Sequence, residues 1–169
     1  QYGHTVGQLL ITREDVDDPK RHDNLVAAFS RLFEFGAIPV INENDAVAVE
    51  EIVYGDNDSL SAVVATLIHA DKLVILTETD GLYTADPTVD PTAYRIAEVP
   101  EITDEILACA SSHGTKLGTG GMTTKVHAAQ IATAAGIDTY VICGRDTHNI
   151  YRLMDGERVG THFCARRNG

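Results

Sequence analysis

The densest chemical signal in the sequence is the run His113-Gly114-Thr115-Lys116-Leu117-Gly118-Thr119-Gly120-Gly121-Met122-Thr123-Thr124-Lys125. Four of the 14 glycines fall within residues 114–121, and a helical pattern from Val126 to Ala135 follows at once. Glycines let backbone amides approach an anion closely, and the unsatisfied amides of a helix start favour negative charge. A lysine in the first turn opposes the helix dipole, so Lys125 makes better electrostatic sense beside a phosphate. The spacing is neither the Walker A pattern nor a dinucleotide fingerprint. The plain alternative is a flexible loop with an incidental lysine.

Three further polar clusters have the composition of binding loops. Asn42-Glu43-Asn44-Asp45 directly follows an apolar run, and could equally be an ordinary turn. Gly55-Asp56-Asn57-Asp58 stands before a helical stretch. One carboxylate there suffices as a cap, and Asp58 is expected to supply it. Asp56 and Asn57 are left to hold a substrate ammonium, a lysine or a metal-bound water. Thr77-Glu78-Thr79-Asp80-Gly81-Leu82-Tyr83 opens a long surface loop closed by Pro87. Tyr83 can either pack on the domain or stack on a base.

The elements that must position these clusters alternate. Apolar strand patterns occur at Val6 to Thr12, Ile38 to Ile41, Lys72 to Leu76, Asp138 to Ile142 and Val159 to Phe163. A weaker alternation over residues 47–54 reads as a hairpin. Helical patterns run from Asn24 to Phe35, from Ser59 to about His69, from about Asp104 to Ala110, from about Thr124 to Ala135, and from Thr147 to Met154. In the first helix, Leu25, Ala28, Phe29, Leu32 and Phe33 make one apolar face, with Gly36 as its stop. Gly136 stops the fourth. Short apolar strands between amphipathic helices predict an α/β sandwich with a mostly parallel sheet. Ligands of such sheets sit beyond the carboxyl ends of the strands, here just after Ile41, Leu76 and Ile142. The expected arrangement sets an acidic and amide half (Asp45, Asp56, Asn57, Asp58) against a glycine and lysine half (Gly120, Gly121, Lys125). That division suits a phosphoryl donor and a small zwitterionic acceptor.

Composition narrows the class. The 169 residues are 44% apolar and 22% charged, ordinary for one globular domain. The net charge of −12 repels nucleic acid and anionic membrane surfaces, and no basic face offsets it. No apolar run approaches a membrane span and no signal peptide is evident. Three scattered cysteines suggest neither a disulfide framework nor a zinc pattern, in keeping with a reducing cytoplasm. The seven histidines show no triad-like or metal-ligand spacing. The chain opens at Gln1 and closes with Ala165-Arg166-Arg167-Asn168-Gly169, which reads like a linker. It is expected to be a segment of a longer protein, with a partial domain over residues 1–164 and a tail over 165–169.

In order and spacing, INENDAVAVEEI, GDNDSLSA, LTETDGLYTADP and GTGGMTTK resemble the glutamate kinase branch of the amino acid kinase family. The likeness runs from VGQLLIT to VGTHF. It implies a three-layer αβα sandwich with a mostly parallel open sheet. It also implies transfer of a phosphoryl group from ATP to the γ-carboxylate of L-glutamate, the first step of proline synthesis. Asp45 and Asn57, with Asp56 beside them, match glutamate-binding positions, and Asp58 matches an aspartate that organises catalytic lysines. Thr77 and Glu78 match a nucleotide-binding pair, with Tyr83 nearby. Thr119, Gly120, Gly121, Met122, Thr123, Thr124 and Lys125 match the nucleotide loop, Lys125 contacting the transferred group. Magnesium would be held through the ATP phosphates, with no protein ligand. Proline as feedback inhibitor and a homo-oligomer are implied as well. The family usually has Asp at the position of Glu78. A first strand with a Lys-Leu-Gly-Ser type motif and a Ser-Ser-Gly-Ala type loop are absent, so little activity is expected from these residues alone. Rival readings are a kinase of the same family acting on acetylglutamate, aspartate or a nucleotide, and a binding module without turnover.

Overall fold

The computed structural model describes residues 3–47, 56–112 and 121–166. The hairpin expected over residues 47–54 falls almost wholly outside them, as do Thr119, Gly120 and the rest of the glycine run before Gly121. In chain order the elements are β1 (Val6–Ile11), α1 (Arg13–Asp17), α2 (Pro19–Glu34), β2 (Ile38–Glu43), α3 (Asn57–Leu67), β3 (Lys72–Thr77), β4 (Glu98–Val99), α4 (Asp104–Ser112), α5 (Met122–Ala134), β5 (Asp138–Cys143), α6 (His148–Met154) and β6 (Thr161–Phe163). The class is α/β with open, mostly parallel strands. The chain divides into two compact units, Gln1–Leu60 and Ser61–Gly169, each with its own sheet.

In the first unit β1 and β2 pair in parallel, Val6 opposite Ile38 through Ile11 opposite Glu43. Helix α2 covers one face. It begins five residues before the apolar pattern does, because Asp18 accepts the Arg21 amide at 2.9 Å and Pro19 occupies the first helical position. Leu25 and Phe29 are buried. Phe33, expected on the same face, is half exposed and lies against Phe29 with ring centroids 6.4 Å apart. Gly7 lies against the Leu32 side chain, which would have to shift to admit a larger residue where α2 crosses β1. Gly36 ends the helix at φ +63°, in the left-handed region a C′ residue requires.

The second unit has the strand order β3-β5-β6-β4. β3 and β5 are parallel and in full register, Lys72 opposite Asp138 through Thr77 opposite Cys143. β6 runs antiparallel to β5 and parallel to β4. After the seven-residue α6 the chain turns at Gly156 and Gly160, both at positive φ, and pairs backwards. Helix α5 packs on this sheet through Val126, Ala129 and Ala132, all fully buried with Val141 and Phe163. The small side chains of Ala129 and Ala132 let the helix lie close to the strands, where Phe163 and its neighbours fill the core.

The stretch after β3 is tied down more firmly than a surface loop. Leu82 is fully buried, and the Ile96 amide donates to its carbonyl at 2.8 Å. Tyr83 and Arg95 form an antiparallel bridge. The Thr161 hydroxyl accepts from the Leu82 amide at 2.8 Å and donates to the Ile96 carbonyl at 2.6 Å. Both ends of the excursion are thereby fastened to β6, and a buried hydroxyl is satisfied. Among the described residues, no helix is long and apolar enough to cross a membrane.

Candidate functional site

The chemistry of the second unit gathers where β3 ends, β5 ends and α5 begins. Leu76, Thr77, Glu78 and Thr79 leave β3 along one side of a cleft of about 530 Å³, completed by Gly121, Met122, Lys125 and Gly144. Parallel pairing brings Thr77 beside Cys143, and the Gly144 amide then donates to the Thr77 carbonyl at 2.8 Å. A Cβ on Gly144 would stand 3.0 Å from the Leu76 Cβ. A side chain at Gly144 would therefore crowd the neighbouring strand end. The Asn149 side-chain Nδ2 donates to the Cys143 carbonyl at 3.0 Å and holds that strand end from the α6 side.

The start of α5 provides the positive side of the cleft. Gly121 is the N-cap and offers no side-chain acceptor to the first-turn amides. Met122 is buried and anchors the turn in the core. Lys125, one turn in, is half-buried and lines the cleft. The helix dipole and the ammonium both favour an anion here. Glu78 is exposed, with Arg145 Nη2 3.8 Å from its carboxylate, a loose surface pair of small energetic weight. A helix start with one lysine and a carboxylate thus line one cleft, which suits a ligand with a polyanionic tail and a neutral, hydroxyl-bearing body.

The other expected residues are distributed differently. Thr124 donates its hydroxyl to the Gly121 carbonyl at 2.8 Å, and Thr123 donates to the Ala110 carbonyl at 3.5 Å. Both hydroxyls brace the helix start, and neither residue lines the cleft. Tyr83 does not line it either: its hydroxyl donates to Asp80 at 2.8 Å, which also raises its pKa above the ordinary value. In the first unit, Asp45 is exposed in the turn after β2. Asp56, not Asp58, caps α3: its carboxylate accepts the Ser59 amide at 2.7 Å and the Ser59 hydroxyl at 2.9 Å. Asn57 and Asp58 follow in the first turn, Asn57 exposed and Asp58 half-buried. The residue that sequence reasoning missed is Gly144. A glycine directly after a buried strand was the available signal.

The sequence profile of the amino acid kinase family matches residues 1–143. A glutamate 5-kinase of Clostridium acetobutylicum is 49% identical over 98% of this chain, and the match covers 62% of that protein. Glutamate 5-kinase 1 of Bacillus subtilis is 46% identical over 96% of this chain and 45% of its own length. The chain therefore spans roughly half to two thirds of these relatives. Among solved structures, a UMP kinase from Bacillus anthracis superimposes with a TM-score of 0.66 at 15% identity, over 99% of this chain and 61% of that one. A uridylate kinase from Archaeoglobus fulgidus gives 0.56 at 23% identity, over 82% and 57%. At such identities the structural likeness concerns the fold.

Proposed function

The chain belongs to the amino acid kinase family, and from that membership we propose that the whole protein phosphorylates the γ-carboxylate of L-glutamate with ATP, giving γ-glutamyl phosphate. The observation that carries the reading is the shared cleft of Lys125 and the capless start of α5 with Thr77 and Glu78. The sequence relatives supply the acceptor: both are glutamate 5-kinases at close to half identity.

The chemistry asks little of the protein beyond placement. A glutamate side chain ionises near pH 4.3, so at neutral pH the attacking oxygen already carries charge and needs no general base. What remains is to align two anions in line and to spread charge on the transferred group. Lys125 and the first-turn amides of α5 do the second task. Thr77 and Glu78 hold the nucleoside end, where a carboxylate can accept from ribose hydroxyls. Asp45 and Asn57 hold glutamate, and Asp58 orients catalytic lysine. Glu78 is the one carboxylate among the described residues of the cleft. Magnesium, which keeps water and phosphate ligands, fits a site where the nucleotide supplies its oxygens. Bound there, it would neutralise phosphate charge. Work in the cytoplasm, assembly into a homo-oligomer and inhibition by proline belong to the same reading.

The test is ADP release by the whole protein with L-glutamate, N-acetylglutamate, L-aspartate and UMP offered separately. Release with L-glutamate alone, together with an acyl phosphate trapped by hydroxylamine, is the expected result. Release with another acceptor and none with glutamate overturns the assignment.

A further inference from the structure

A second polar cluster lies on the β6 side of the sheet, built from residues the kinase reading leaves unused. Strand pairing alone assembles it. Glu98 on β4 is the direct partner of His162 on β6, and Tyr140 on β5 is its partner on the other side. Cys164 lies two residues after His162, and its amide continues the ladder by donating to the Val99 carbonyl at 3.0 Å. The period of two along an extended chain therefore puts Cys164 on the face of His162. One ligand atom from each of Glu98, His162 and Cys164 falls within 4.8 Å of the others.

The imidazole is held as a metal-binding imidazole needs to be. Its Nε2 lies 2.9 Å from the Asp138 carboxylate, which also accepts the Ala165 amide at 2.9 Å. Its ring stacks on Tyr140 with centroids 4.4 Å apart and planes 6° from parallel. The carboxylate keeps the proton on Nε2 and leaves the Nδ1 lone pair directed at Cys164, whose Sγ is 4.0 Å away. Carboxylate, histidine and metal in series is the usual outer-sphere arrangement.

We propose that Glu98, His162 Nδ1 and Cys164 Sγ form a binding site for Zn²⁺. Tetrahedral zinc with nitrogen near 2.05 Å and sulfur near 2.3 Å separates the two donors by roughly 3.6 Å, so the observed gap closes with a small side-chain rotation. The donor set of one sulfur, one nitrogen and one oxygen favours zinc over magnesium or calcium, which take oxygen alone. A thiolate and a carboxylate balance the ion's two charges, the thiol proton passing to solvent on binding. The adjoining cavity of about 280 Å³, lined by Glu98, His162, Lys72 and Arg158 among others, leaves room for water as the fourth ligand. The ion would tie the two-residue β4 to the end of β6.

The experiment uses chelator-treated protein titrated with Co²⁺, followed by displacement with Zn²⁺. Expected is one ion per chain, a near-ultraviolet thiolate-to-cobalt band, and its loss when zinc is added. Cys164→Ser removes the band, whereas Cys109→Ser and Cys143→Ser keep it. Glu98 is exposed, so Glu98→Gln leaves the metal-free protein folded by circular dichroism and weakens binding at least about tenfold. Asp138→Asn, acting through His162, weakens it by about 10- to 100-fold. No thiolate band in the unaltered protein, a band that survives in Cys164→Ser, or unchanged affinity in Glu98→Gln each overturns the proposal.

Discussion

The Gly144 amide donates to the Thr77 carbonyl at 2.8 Å, joining the carboxyl ends of two strands that are some sixty residues apart in the chain. That bond lies at the cleft proposed to take the nucleotide. The Leu76 Cβ, 3.0 Å from where a Gly144 Cβ would be, cannot swing aside, because it is fixed to the strand backbone. Gly144→Val is expected to lower stability by about 1–3 kcal/mol, as overpacking does, and to raise the ATP KM more than the glutamate KM. Urea melts and steady-state kinetics check it. Equal changes in both Michaelis constants would place Gly144 outside nucleotide binding.

Lys125 stands in the first turn of a helix, where its charge opposes the dipole. It also lines the cleft, beside the first-turn amides of α5. Lys125→Ala is expected to lower kcat by 10²- to 10³-fold, about 3–4 kcal/mol by analogy with loss of one oxyanion donor. Unchanged turnover would remove Lys125 from the reaction.

Asp56 separates capping from substrate binding. Its two bonds to Ser59 identify it as the cap of α3, and Asp56→Ala should cost about 1 kcal/mol. Asp56→Asn caps equally well and should restore both stability and the glutamate KM. A variant that regains stability while its KM remains high would show that the charge itself meets the substrate.

Acid stability has a marked contributor in Asp15. Partial burial pushes its carboxyl up, but the Thr12 amide and hydroxyl, both at 2.8 Å, together with Arg21, outweigh burial and hold it below the ordinary value. A carboxyl depressed in the folded state contributes its full stability above the unfolded value, about 3.9. The contribution fades as pH falls from there through the lower folded value. The denaturation midpoint of Asp15→Asn should therefore change less between neutral pH and about pH 3 than that of the unaltered protein. Parallel acid limbs for the two proteins would count against this account.

Local chemistry was readable from the residues alone. Gly36 and Gly136 end helices because the left-handed conformation favours glycine, and both have positive φ in the fold. The polar residues after Ile41 and Leu76 and the lysine behind the glycine run stand at strand ends and a helix start, which expose backbone groups wherever they occur. The start of α2 at Asp18-Pro19 has its own local signal, a capping carboxylate and a proline at the first helical position, but a solvated first turn carries no hydrophobic period.

What no local pattern contains is which distant residues become neighbours. The backward course of β6, the meeting of Thr77 with Gly144, and the line from Asp138 through His162 to Cys164 are all set by register between strands. Register is decided by how whole faces bury against α5 and its core, a sum over the unit. The residues determined what chemistry was possible, and packing decided which of them share a site.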